Sequence, residues 1–126
     1  MKMSSYLANE VLSAVTKGGS VTYPQLYISI HSADPADTGA YEIAEARQLL
    51  TTTDWGTVAV KQVSTVNAVE FSNMTVESTV AYIGLWDSLT GGNFLWSGDL
   101  SNPKTVPTGE TLRFDAGNIT AEIDPA

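Results

Sequence analysis

The chain has 126 residues, 43 % of them hydrophobic, no cysteine and a formal net charge of -8. That length suits one domain with a core of its own, and the missing cysteine excludes disulfide frameworks, thiolate metal sites and cysteine nucleophiles. Six basic residues, scattered singly among 14 acidic ones, exclude the phosphate-neutralising patch that nucleic acid requires and disfavour an anionic membrane surface.

No apolar run approaches the roughly 20 residues of a membrane-spanning helix. The opening "MKMSSYLANEVLSAV" is broken by Asn9 and Glu10, so it reads as a retained segment rather than a signal peptide. The expected organisation is a single domain over 1–126, with a helical segment at 1–19 and a β-sandwich at 20–126.

Residues 4–17 carry the helix. Leu7, Val11, Ala14 and Val15 recur on one face, Ser4 or Ser5 caps the start, and Gly18-Gly19 ends it. Such a short helix needs a surface to lie on, which is expected to be the sheet edge or a neighbouring subunit. "QLYISIHS" then alternates Leu26, Ile28 and Ile30 against Tyr27, Ser29 and His31, as a strand with one buried face does. "ADPADTGAY" is an exposed loop by its Asp, Pro and Gly content. Beyond it, a short strand is expected near Arg47–Thr52.

"WGTVAVKQVSTVNAVEFSN" reads as two strands, Thr57–Val63 and Ala68–Phe71. "VAYIGLW" and "NFLWSGDL" flank Asp87–Gly92 as a hairpin, with Gly91 and Gly92 supplying turn geometry. Tyr82, Trp86, Phe94 and Trp96 alternate so as to fall on one side of it. Both strands are apolar on both faces, so the pattern favours a hairpin covered on both sides over an exposed aromatic platform for carbohydrate. "NPKTVPTGE" is a turn-rich connector, and "TLRF" and "NITAEID" close the chain. One helix and seven or eight short strands, with a turn signal every ten residues or so, give a mainly β fold: an antiparallel β-sandwich or jelly roll.

Residues with chemistry are few. His31, with Ser32 and Asp34 beside it, is crowded at one strand end, and neighbours along a strand point to opposite faces, so the three do not build a hydrolase triad. The expectation is a histidine on a polar, solvent-facing strand surface. Asp34, Asp37, Glu42 and Glu45 form an acidic run, but Pro35 interrupts it and the spacing is not that of a calcium loop, so it reads as solvated. No nucleotide-binding glycine loop is present. No catalytic residue, metal or cofactor is expected.

Three stretches together carry a resemblance: the helix "LANEVLSAV", then "YPQLYISIHSADPADTG", then "YIGLWDSLTGGNFLWSGDLSNPKTVPTGETLRFDAGNITAEI". In this order they resemble small tailed-bacteriophage virion proteins of tail-fibre-like or head-decoration-like type. They cover about two-thirds of the chain, and 43–77 matches least. The resemblance implies a non-enzymatic virion protein of β-sandwich type. A compact chain without stalk repeats or a coiled coil points to a capsid decoration protein on the outer shell, with the major capsid protein as partner and a homo-oligomer, a trimer by guess. The alternative is a tail-fibre or tail-tip component that meets the host receptor, for which an exposed Trp55 or Trp86 would speak. A small hydrolase of cell-wall sugars is the third reading. The candidate interaction residues are Leu7 and Val11 of the helix and Asp34, Asp37 and Tyr41 of the loop.

Overall fold

A computed structural model of the chain describes residues 1–123. In chain order the elements are β1 (Lys2–Met3), α1 (Ser5–Lys17), β2 (Gln25–His31), β3 (Gln48–Thr51), a 3-10 turn (Thr52–Asp54), β4 (Gln62–Ser64), β5 (Val69–Phe71), β6 (Ser78–Trp86), β7 (Phe94–Val106), β8 (Leu112–Phe114) and β9 (Thr120–Glu122). The fold is mainly β with antiparallel pairing throughout. Its main sheet runs β1-β7-β6-β2-β3, and two ribbons, β4-β9 and β5-β8, form the second layer.

The alternation in β2 and β6 sets the two faces of the main sheet. Ile28 pairs with Leu85 and Ile30 with Ile83, so these four share the face turned to the ribbons. There they join Val69, Phe71, Leu112, Ile119 and Ala121 in the principal core. Each large aliphatic side chain buried in this way stabilises the fold by about 1.5–3 kcal/mol. Ser29 and Gly84 pair on the opposite face, as do His31 and Tyr82. That face holds a second buried set, among them Trp86, Phe94 and His31, beneath the 33–41 loop.

Helix α1 begins as its sequence directs. Ser4 is the N-cap: its Oγ accepts from the Leu7 amide at 3.2 Å and donates to the Phe94 carbonyl at 2.6 Å, which ties the helix start to β7. Gly18 closes it in the left-handed conformation, φ 74°. Leu7 alone is fully buried, Val11 and Ala14 are half-covered, and Leu12 and Val15 are exposed.

Three expectations give way here. Thr57–Val63 is not a strand. The chain turns tightly at Val60-Lys61, both with positive φ; Ala59 bridges Gln62 across this turn, and the strand pairing is that of Gln62–Ser64 with β9. The connector after Leu100 is also strand: β7 runs on to Val106, after a four-residue excursion (Leu100–Pro103) opposite Ala81 alone. Third, Trp96 does not share a face with Tyr82, Trp86 and Phe94. Trp86 pairs with Phe94 but Leu85 pairs with Trp96, so Leu95 is an extra residue in β7, and this bulge turns Trp96 to the core side. There its indole Nε1 donates to the Glu122 carbonyl at 3.0 Å.

Candidate functional site

On the loop-covered face the hairpin aromatics form a closed cluster, not a platform. Trp86 and Phe94 meet edge to face with ring centroids 5.0 Å apart, and His31 meets Phe94 the same way at 6.0 Å. The Gly39 backbone lies against the outer edge of the Trp86 indole. Trp86 is 7 % exposed and Trp55 is half-buried against the core, so neither is an open contact surface.

His31 corrects the sequence reading: it is 0 % exposed. Alternation placed it on the polar face of β2, but period alone does not reveal what covers that face. The 33–41 loop does. Pro35 and Gly39 are buried, and the backbone folds on itself through Gly39 and Ala40 amides that donate to the Pro35 carbonyl. His31 Nδ1 lies 2.8 Å from the Ala40 carbonyl, which can only accept, so Nδ1 carries the proton. Nε2 is then an acceptor, 2.6 Å from Ser29 Oγ. Ser29 in turn accepts from Trp86 Nε1 at 2.8 Å. Proton donation therefore runs from Trp86 to Ser29 to His31 Nε2, and from His31 Nδ1 to Ala40, with every polar atom satisfied by neutral histidine. Burial pushes the imidazole pKa below its ordinary 6.5, against the Ala40 bond and the Glu42 carboxylate, while the Arg47 charge adds to the depression.

Gly84 makes this packing possible. A Cβ there would come within 2.6 Å of Phe94 and 2.8 Å of both His31 Nε2 and Ser29 Oγ. Gly91 and Gly92, at φ 59° and 77°, supply the turn as expected.

Arg47 is the residue that sequence reasoning missed. It is 9 % exposed and sits with its guanidinium carbon 3.8 Å over the Trp86 ring. Nε and Nη2 form a fork on Glu42 at 2.9 and 3.0 Å, and Nη1 donates to the Ser88 and Gly91 carbonyls at 2.7 and 2.8 Å. One side chain thus holds the hairpin loop, the indole and the strand return at Glu42. Nothing in "EIAEARQLL" signals this, because all its partners except Glu42 lie more than 35 residues away.

The candidate interaction residues separate. Leu7 is buried within its own chain, and Val11 is half-covered. Asp37 is exposed and accepts from the Ser5 amide at 2.7 Å; hydrogen bonding to Ser5 holds its carboxyl below the usual range. Asp34 is exposed, receives the Ala36 amide and lines a shallow depression with Tyr82 and Asp99. Tyr41 is 65 % exposed on a left-handed backbone, φ 61°. The acidic run is dispersed: Glu42 serves Arg47, and Glu45 accepts from the Thr75 amide and hydroxyl. Among the described residues no three metal-ligating side chains converge.

The model of the podophage GP4 fiber I protein gp80 family matches residues 2–122. The chain belongs to that family. No curated protein matches the chain. The expectation of a tailed-phage virion protein holds, and the family description names a fibre, which favours the tail-fibre alternative over capsid decoration. The matched span reaches from β1 into the end of β9 and so contains the aromatic cluster, the Arg47 clamp and both ribbons.

Proposed function

We propose that this chain is a structural component of a bacteriophage tail fibre, present in several copies and acting through contacts with other virion proteins, without catalysis. The observation that carries this is the fibre-family match over nearly the whole chain. The one histidine and its serine support a structural role, since both are spent on an internal hydrogen-bond chain beneath a packed loop. The acidic surface suits a protein displayed at high local density, because like charges keep neighbouring particles apart.

Immunogold labelling of purified virions tests the location. Label at the tail is the expected result. Label spread over the capsid, with hundreds of copies per particle by quantitative gel, would overturn the fibre reading and restore decoration.

A further inference from the structure

The Ala59–Gln62 turn is built from the wrong residues for its geometry. Ala59 and Gln62 exchange backbone hydrogen bonds at 3.0 and 3.1 Å across a two-residue turn. Val60 and Lys61 both take positive φ, 53° and 64°. Turns of that kind select Asn-Gly or Asp-Gly, because a β-branched side chain crowds its own backbone there. Nor does Val60 stabilise the fold by burial, since it is 90 % exposed. Neither turn geometry nor the hydrophobic effect within one chain accounts for valine at this position, and strain of this kind is characteristic of functional positions.

Beside the turn lies a groove of about 220 Å³ lined by Val58, Val63, Trp96, Ala121 and Ile123, with Lys61, Gln62 and Glu122 at its polar margin. It is smaller than the roughly 300–1,000 Å³ of small-molecule sites and suits an aliphatic side chain. Val58 and Ile123 remain 72 % and 52 % exposed at its rim. The charge pattern points to the occupant. Two copies of a chain with net charge -8 repel, yet from Trp55 to Val69 there is no acidic residue, and Lys61 is the one charge. A tip carrying Val60 and Lys61 matches a groove with an apolar floor; the Glu122 carboxylate at its margin is already held by the chain's own N-terminal ammonium at 2.6 Å, so the match is one of apolar shape rather than of opposite charge.

We propose that this lobe is a self-association surface: Val60 of one copy seats in the groove beside Trp96 of the next, with Lys61 at the groove's polar margin. Every copy offers both a tip and a groove, and a closed cyclic assembly satisfies all of them. The proposal rests on the multi-copy fibre reading and gives it an interface.

Sedimentation velocity on the full chain across the micromolar range is the test. The wild type should assemble. Val60→Asn combined with Lys61→Gly installs the residues that the turn prefers, so this variant should sediment as a monomer where the wild type assembles, and should unfold at a higher urea concentration than the wild type when both are diluted to the monomer. Val58→Ser, which leaves the turn untouched, should weaken assembly by about tenfold or more. A wild type that stays monomeric throughout overturns the proposal and hands the patch to a different virion protein. So does assembly of the double variant with wild-type affinity. Either result leaves tail labelling of virions standing, and capsid labelling with intact self-association would remove only the fibre reading.

Discussion

Ser29→Ala removes one oxygen atom from the interior and keeps β2 otherwise intact. Ser29 is 1 % exposed, and its Oγ is the partner of both Trp86 Nε1 and His31 Nε2. Alanine leaves an indole N–H and an imidazole nitrogen buried without partners, since Trp86 and His31 are 7 % and 0 % exposed. Each orphaned group costs about 1–3 kcal/mol, so the substitution should destabilise by about 2–6 kcal/mol, a large share of the 5–15 kcal/mol typical of a folded domain. Urea unfolding followed by far-ultraviolet circular dichroism measures this without relying on the perturbed tryptophan. A second arm isolates the cause. In a Trp86→Phe background the indole N–H is already gone, so Ser29→Ala should cost about 1–3 kcal/mol less there than in the wild type. A loss below about 0.5 kcal/mol in the wild type, within the range of ordinary surface changes, would refute the hydrogen-bond chain as a source of stability.

The depressed pKa of His31 makes stability pH-dependent with a defined sign. Below 6.5 the unfolded chain takes up a proton that the folded chain refuses, so stability should fall as pH drops from 7 towards 5.5, with a slope of up to about 1.4 kcal/mol per pH unit. Asp37 and Asp54, whose lowered pKa values lie beneath 3.8, act in the same direction only at more acid pH, and His31→Asn should flatten the upper window; urea midpoints at several pH values decide it. Gly84→Ala should destabilise by about 1–3 kcal/mol through overpacking against Phe94, His31 and Ser29, and thermal unfolding reads the loss. Thr65→Val should instead stabilise, by about 1 kcal/mol or more in urea unfolding, because the buried Thr65 hydroxyl has no hydrogen-bond partner among the described residues.

Much of the architecture was legible along the chain because period and punctuation agreed. Ser4 and Gly18 bound the helix, β2 and β6 alternate cleanly, and Gly91-Gly92 marks the hairpin turn. The failures have specific causes. The face of Trp96 was misassigned because one extra residue, Leu95, inverts everything beyond it, and a bulge leaves no mark in hydrophobic period. Val58 and Val60 imitated a strand because a turn made by valine and lysine lacks the usual turn residues. His31 was placed on the correct face and in the wrong solvent, since burial there depends on a loop folding back. The Arg47 clamp was invisible because its contacts are long-range and mostly to backbone carbonyls, which carry no side-chain signature.

The Arg47 clamp also orders events during folding. β6 and β7 are neighbours in the chain and can pair early, at small loop-closure cost. The loop between them acquires its two carbonyl–guanidinium bonds only when a residue 41 positions before Ser88 and 44 before Gly91 arrives. Trp86 is held between both processes: its strand forms locally, but its ring gains the cation only on that late arrival. Of the three tryptophans, Trp86 therefore serves as a clock for long-range closure: with Trp55 and Trp96 replaced by phenylalanine, its emission should lag behind the growth of strand signal when the chain refolds.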